Sequence, residues 1–109
     1  MSQMAINYPP NPLGISQVFK FTAEAIEVAP RKPGVFVFLD ERGAVIQMGS
    51  SLESVQSALR DHWKGLEGAE TCGAAFVGFE EAAQPLVREA ELAAKHVEVF
   101  GRMPRTGIA

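Results

Sequence analysis

The side chains that could do chemistry are few in this sequence, and most of them stand alone. His62 and His96 lack companions at metal-ligand spacing, and no cluster of cysteine and histidine accompanies them. The single cysteine, Cys72, precedes an apolar run without a nearby basic residue, which predicts an unreactive, half-buried thiol. Glycine-rich phosphate loops and Ser–His–Asp patterns are absent from the sequence. We therefore expect neither a zinc-type metal site nor a nucleophilic triad.

Basic residues late in the chain are the one group that suggests a charged partner. Clustered lysine and arginine neutralise phosphates in proteins that bind nucleic acid. The sequence has 10 basic and 13 acidic residues, a formal net charge of -3, and no basic run longer than Arg31-Lys32. This balance argues against a general DNA-binding protein and favours scattered solubilising charges. The DNA-binding candidates are Lys64, Arg88, Lys95, Arg102 and Arg105.

Length and composition limit the number of domains that can position these side chains. A chain of 109 residues with 47% hydrophobic residues fits one domain with one core. A single cysteine cannot form an intrachain disulfide, which suits a reducing compartment. No stretch approaches the roughly 18 apolar residues of a membrane span, and the N-terminus lacks the layout of a signal peptide. We expect a cytoplasmic protein without membrane contact.

The N-terminal segment is predicted to be an extended arm. Tyr8-Pro9-Pro10-Asn11-Pro12 shows no periodicity, and proline supplies no backbone donor and restricts the residue before it. We therefore predict a Pro-rich arm over residues 1–16 and a single domain over residues 17–109. A mobile leader is the simplest role for the arm, and a strand exchanged between two protomers is the alternative.

A β-hairpin is the clearest predicted element. Residues 34–39 are continuously apolar and rich in branched and aromatic side chains, which indicates a strand buried on both faces. Residues 40–43 form a turn signal that ends in glycine, and residues 44–48 are the returning strand. Gly49 is expected to break that strand on grounds of backbone geometry.

Helical patterns surround the hairpin. Thr22 is a predicted N-cap for a short helix that ends at Pro30. Ser50 and Glu53 match a capping box for a second helix that ends near Lys64. The predicted buried face of this second helix is Leu52, Val55, Leu59 and Trp63.

A third strand and a last helix complete the predicted order. Residues 74–79 are predicted as the strand, and residues 18–21 fit either a short strand or the approach to a helix. Proline at position 85 suits the first turn of a helix over residues 85–99, and Gly101 is predicted to close this helix. The predicted core-facing residues of this helix are Leu86, Ala90, Ala93 and Val97. The order predicts an α+β fold, α/β two-layer, with a three-stranded antiparallel sheet flanked by helices.

Four segments in this order resemble the GIY-YIG nuclease family, whose name records two short motifs on adjacent strands. Gly34-Val35-Phe36 stands at the first motif and Gln47-Met48-Gly49 at the second, with ten residues between them. Residues 60–63 resemble the end of the family's helix, and residues 89–92 resemble its metal-binding helix. The resemblance covers about residues 21–107 and implies a GIY-YIG-like fold.

The resemblance also implies a site. In this family a glutamate holds the magnesium ion that activates phosphodiester cleavage, and tyrosines and an arginine handle the nucleophile and the phosphate charge. Glu89 is then the metal ligand and catalytic residue, with a solvated helix glutamate as the alternative. His62 is a second catalytic position, for which an exposed or capping histidine is the favoured alternative. Phe36 lacks the hydroxyl of the first tyrosine, Gln47 offers an amide that is no base, and Ala58 stands at the arginine position. The motif positions expected to line the former site are Gly34, Phe36, Gln47, Gly49 and Ala58.

These replacements favour a domain that binds and does not cut. Removing one preorganised charge-stabilising donor costs roughly 10²–10³ in rate, so DNA hydrolysis is not expected. The first hypothesis is a non-catalytic or catalytically impaired module for binding or assembly, with a protein partner or self-association and no cofactor. The second is a DNA endonuclease that uses magnesium or manganese through Glu89. The third is DNA binding without cleavage.

Overall fold

One antiparallel sheet organises the chain. The computed structural model describes residues 9–105. The elements in chain order are β1 (Gln17–Lys20), α1 (Ala23–Val28), β2 (Gly34–Leu39), β3 (Val45–Ser51), α2 (Val55–Trp63), α3 (Ala69–Cys72), β4 (Phe76–Glu81) and α4 (Pro85–Phe100). The strand order is β1–β4–β2–β3, with antiparallel pairing throughout. The predicted α+β architecture, an antiparallel sheet flanked by helices, is confirmed.

The sheet has four strands where the sequence predicted three. The additional strand, β1, comes from the segment that fitted either a strand or a helix approach, and it pairs with β4 from Gln17 opposite Phe79 to Lys20 opposite Phe76. It lies at the edge of the sheet, and three of its four residues are exposed. A short edge strand with little buried surface carries no clear alternation of apolar and polar residues, which explains why the pattern left it open.

The central strand β2 is buried on both faces, as predicted. Phe36 and Phe38 face a cluster formed with α1 and α2, which includes Ile26 and Leu59. The alternate residues face a second cluster, which α4 closes with Leu92. Helices therefore cover both faces of the sheet, and β3 remains as the edge strand on the β2 side.

The strand β3 runs further than the sequence predicted. Gly49 does not end it, because pairing with β2 continues to Ser51 opposite Gly34. Gly49 lies opposite Phe36, and a Cβ at this glycine would sit 2.7 Å from Cζ of the phenylalanine ring. The need for glycine is therefore a close approach of an aromatic ring, and the turn geometry predicted for this position is wrong.

The start of α2 also differs from the prediction. Ser50 still belongs to β3, and Ser54 is the N-cap, with its hydroxyl accepting a hydrogen bond from the backbone N–H of Ser57. Val55 and Leu59 are fully buried, as predicted, whereas Leu52 precedes the helix and is 66% exposed. The hydroxyl of Ser51 accepts from the N–H of Ser54, so the real cap is reached through a short turn between strand and helix.

We predict that Ser54→Ala lowers the free energy of unfolding by about 1 kcal/mol, because it removes the side-chain acceptor at the start of α2. Chemical denaturation monitored by far-UV circular dichroism measures this change. Ser57→Ala is the matched control, since Ser57 is exposed within the same helix and contributes only its backbone N–H to the cap. An equal loss of stability in both variants would contradict the assignment of the cap.

The last helix, α4, buries a different face from the one predicted. It begins with Pro85 and ends at Gly101 in a left-handed conformation, both as predicted. Its buried residues are Pro85, Leu92 and His96, whereas Leu86 and Val97 are 61% and 41% exposed. The helix carries apolar residues on more than one face, so apolar spacing alone selected a stripe of which Ala93 packs against the core while Leu86 and Val97 do not.

Two short segments beside these elements pack onto the sheet. Residues 1–8 of the predicted arm lie outside the described residues, but Leu13 and Ile15 are buried against the face covered by α4. In the short helix α3, Thr71 is buried and Cys72 is exposed, so the prediction of a half-buried thiol is wrong.

Within residues 9–105, no helix is long and apolar enough to cross a membrane.

Candidate functional site

A cavity of about 220 Å³ lies where α2 and α4 approach the edge strand β3. It is formed by one residue of β2, three consecutive residues of β3, three of α2, one of the turn after α2 and two of α4. The lining residues are Phe36, Gly49, Ser50, Ser51, Ala58, Asp61, His62, Glu67, Leu86 and Glu89. The cavity therefore gathers parts of the chain that lie up to about 50 residues apart in sequence, a separation that only tertiary packing can close.

An aromatic floor closes the inner end of the cavity. Phe36 is only 3% exposed, and its ring lies over Gly49. The ring also makes edge contacts with Phe38 and His62, at centroid distances of 5.6 Å and 5.4 Å. A tyrosine hydroxyl at this position would serve for proton handling, but phenylalanine offers only ring carbons.

Glu89 reaches the cavity from the first half of α4 and is anchored by β3. Its Oε1 accepts a hydrogen bond of 2.7 Å from the hydroxyl of Ser50. Ser50 points to the α4 side because it alternates with Gly49, which faces Phe36. The second carboxylate oxygen of Glu89 keeps its acceptor capacity, so the anchored group is still able to bind a donor or a cation.

His62 lies in the wall of the cavity and is held by the short helix α3. It is 3% exposed, and its Nδ1 lies 2.7 Å from the hydroxyl oxygen of Thr71, which is itself buried. Burial favours the neutral imidazole and lowers the pKa of His62 below its ordinary value, while the nearby carboxylates of Glu67 and Asp61 oppose the shift. His62 is therefore a buried, neutral, hydrogen-bonded ring near neutral pH.

This burial predicts a pH dependence of stability. As the pH falls below the ordinary histidine pKa of about 6.5, His62 becomes protonated in the unfolded chain. In the folded protein it stays neutral, because burial lowers its pKa. The free energy of unfolding then falls, by up to about 1.4 kcal/mol per pH unit, until the lowered folded pKa is reached. Urea denaturation between pH 7 and pH 5 measures this slope. His62→Gln is the control, and an unchanged slope in that variant would show that other groups cause it.

The charges around the cavity are all negative among the described residues. Three carboxylates line it, those of Asp61, Glu67 and Glu89, and the lining contains no lysine or arginine. The nearest basic residue in sequence, Arg60, points away and pairs with Glu27 at 3.2 Å on the surface. Like charges at close range repel, so the lining disfavours an anion and favours a cation.

Not every predicted position reaches the cavity. Five of the predicted positions line it, namely Phe36, Gly49, Ala58, His62 and Glu89, whereas Gly34 and Gln47 do not. Gly34 lies at the start of β2, pressed against the backbone of Glu80 and the side chain of Val55. Gln47 is 5% exposed and pairs with Phe38 in the β2–β3 register, deeper in the sheet than the cavity.

The basic candidates are dispersed over several elements and engaged in local contacts. The guanidinium of Arg88 donates to Glu80 at 2.7 Å and to Glu91 at 3.1 Å. The backbone carbonyl of Arg102 lies 2.7 Å from Nδ1 of His96, and that of Arg105 accepts from the N–H of Met48. The remaining two candidates are Lys64, the C-cap of α2, and Lys95, which lies 4.0 Å from Glu98. None of the five lines the cavity.

Magnesium is the ion that the sequence resemblance implies, and two side-chain oxygens at the cavity suit it. Magnesium prefers oxygen ligands and keeps several waters when only one or two carboxylates hold it. Glu89 Oε1 and Ser50 Oγ, 2.7 Å apart, offer two such oxygens. Within residues 9–105, no group of three or more histidine, cysteine, aspartate or glutamate side chains comes close enough to hold a metal ion. The residues therefore fit a hydrated ion held by Glu89 and Ser50, and they do not form a cage.

Comparisons with known proteins bear on the fold. No protein-family model and no curated protein matches the chain. Solved structures of the GIY-YIG N-terminal endonuclease domain of UvrC from Thermotoga maritima do match it. A point mutant bound to its catalytic divalent cation is 22% identical, with a TM-score of 0.57 over 66% of this chain and 84% of that chain. The fold is GIY-YIG-like. The magnesium-bound domain gives 18% identity and a TM-score of 0.54 over 70% and 86% of the two chains.

A third match is a second point mutant of the same UvrC domain bound to its cation, at 20% identity and a TM-score of 0.52, covering 72% of this chain and 87% of that one. Identities this low establish the GIY-YIG-like fold and assign no roles to single residues. The cavity contains five lining residues that sequence reasoning missed, Ser50, Ser51, Asp61, Glu67 and Leu86. A serine at a strand end and acids in a helix and a turn form no motif, so only the packing of α2 and α4 on the edge of β3 reveals them.

Proposed function

We propose that this GIY-YIG-like domain is non-catalytic and serves as a module for binding or assembly. The observation that carries the proposal is the charge of the cavity, whose described lining has three carboxylates and no lysine or arginine. A nuclease must stabilise an anionic phosphate with positive charge or donors. Here the carboxylates oppose a phosphate, and neutral His62 does not offset them.

The aromatic floor supports the same proposal. Phe36 is packed against Gly49 and His62 and has no group that takes or gives a proton. At the open side, Leu86 lines the cavity while it is 61% exposed. An exposed leucine beside a concave, partly apolar site is typical of a surface that contacts another macromolecule. A protein partner or a second copy of this chain suits such a surface, and no cofactor is required.

Size-exclusion chromatography with light scattering, combined with affinity capture, tests this proposal. We expect the wild-type chain to form a dimer or a stable hetero-complex that Glu89→Lys loses, because the substitution reverses the charge inside the cavity. Glu98→Lys is the matched control on the same helix, since Glu98 is largely exposed and lies outside the cavity. A monomer without a partner, or a complex that Glu89→Lys leaves intact, would count against the proposal.

A residual nuclease is the second candidate, favoured by the oxygen pair of Glu89 and Ser50. Bound magnesium or manganese supplies charge that stabilises a phosphate. The UvrC domains of similar fold are described as bound to a catalytic divalent cation, magnesium in one case. In this alternative Glu89 is the metal ligand and Ser50 orients it. Metal-dependent cleavage of DNA by the wild-type chain, lost in Glu89→Ala, is the result that separates it from the first proposal.

DNA binding without cleavage is a third proposal, and it depends on the five basic candidates. Two of them are in ion pairs, Arg88 with Glu80 and Lys95 with Glu98, which leaves less charge for phosphates. Retention on DNA-cellulose at low salt, weakened by Lys64→Ala and by Arg102→Ala and steeply reduced by added salt, would support it. Absence of retention at low salt excludes it.

A further inference from the structure

We propose that the cavity receives the cationic side chain, lysine or arginine, of a residue on a partner protein. This inference rests on the proposed function and specifies the ligand of the same site. The three carboxylates approach the cavity from different elements, Asp61 from α2, Glu67 from the following turn and Glu89 from α4. A guanidinium or ammonium group carries several donors that point in different directions, so it matches acceptors that surround it.

A second observation also indicates a donor ligand. His62 is only 3% exposed and lines the cavity. Its Nδ1 is hydrogen-bonded with the hydroxyl of Thr71. Among the described residues its Nε2 has no hydrogen-bond partner. In the tautomer in which Nδ1–H donates to Thr71, Nε2 is an acceptor. A cationic donor in the cavity would select this tautomer and give Nε2 a hydrogen-bond partner.

The shape of the carboxylate arrangement favours an organic cation over a metal ion. A metal needs ligands gathered at short range, and no group of three histidine, cysteine, aspartate or glutamate side chains does so within residues 9–105. The walls also include the ring of Phe36 and the side chain of Leu86. The methylene stem of lysine or arginine packs on apolar walls of this kind, and an aromatic ring attracts its charged end. A volume of about 220 Å³ accommodates one such side chain.

Exposed leucines adjoin the lining in sequence and define the partner further. Leu52 follows Ser51, Leu66 precedes Glu67, and Leu86 itself lines the cavity. These leucines are 66%, 68% and 61% exposed. Interfaces commonly place one buried arginine or aromatic residue at the centre of a pocket and surround it with contacts that exclude water. The partner segment is therefore a basic residue flanked by apolar residues.

A titration with short blocked peptides, followed by ¹⁵N NMR of the full chain, tests the inference. The probes are acetyl-Leu-Arg-Leu-amide, its lysine analogue and a neutral control with glutamine at the centre. We expect the two cationic peptides to shift the amides of Ser50, Ala58 and Glu89 at millimolar concentration, and the glutamine peptide to leave them in place. Glu89→Gln should weaken the arginine peptide about tenfold or more, since a charged hydrogen bond is lost.

Control variants and a competition with magnesium complete the peptide-binding experiment. Glu98→Gln removes a charge from the outer side of α4 and should leave binding unchanged, and Asp61→Asn should weaken it if the fold is intact in the spectrum. Equal shifts by the glutamine peptide, or none by the cationic peptides, overturn the inference. Displacement of the arginine peptide by sub-millimolar MgCl₂ overturns it too, since the site would then prefer a metal. If only the peptides fail while a Glu89-dependent complex still forms, the proposed function survives without this ligand.

Discussion

Gly34→Ala is expected to lower the free energy of unfolding by about 3 kcal/mol, the upper part of the usual range for overpacking a core. A Cβ on Gly34 would overlap the backbone oxygen of Glu80 and lie 2.8 Å from Cγ2 of Val55. Gly34 is paired with β3 on one side and with β4 on the other, so the backbone cannot retreat without disturbing both pairings. For a domain of this size the melting temperature should fall by roughly 10–20 °C.

Differential scanning calorimetry of Gly34→Ala beside Gly73→Ala measures this effect. Gly73 has an ordinary φ of -103° and no atom within 4 Å of an added Cβ, so its substitution should change stability by no more than about 0.5 kcal/mol. Equal melting temperatures for the two variants would mean that β2 does not approach β4 and α2 as closely as described. The result also tests why the first motif begins with glycine, independently of any catalytic role.

The hairpin and the ends of α4 could be predicted from the sequence because their signals are local. The apolar run of β2, the turn that ends in Gly43 and the left-handed Gly101 each depend on a few neighbouring residues. The strand β1 could not be predicted with certainty, since its pairing with β4 joins residues about 60 positions apart. The N-cap at Ser54 was missed because two serines, Ser50 and Ser54, offered the same chemistry.

The candidate site was predictable only in part, for a physical reason. The resemblance supplied positions such as Phe36, Ala58 and Glu89, and these lie around one cavity. It did not supply Asp61 and Glu67, whose charge decides what the cavity attracts. Which helix face turns toward β3 depends on packing of α2 and α4 against the sheet, and the apolar residues of α4 indicated the wrong face.

DNA cleavage by this chain is expected to be undetectable, and this is the largest effect we predict. Phe36, Gln47 and Ala58 stand where the sequence resemblance places the phenols and the guanidinium, and they offer no proton transfer and no positive charge. Each lost donor of this kind typically costs roughly 10²–10³ in rate, although such losses do not simply add. The carboxylates of Asp61 and Glu67 add repulsion toward a phosphate. Glu89 alone does not offset these losses.

The most direct measurement is a cleavage assay of the wild-type chain and Glu89→Ala on plasmid and branched DNA, with magnesium and with manganese, at high protein concentration. The two proteins should give the same trace of product as buffer with metal alone, because the described lining of the cavity has no lysine or arginine to stabilise the reacting phosphate. Metal-dependent cutting by the wild type that Glu89→Ala abolishes would contradict the account, and the acidic cavity would then be an active nuclease centre.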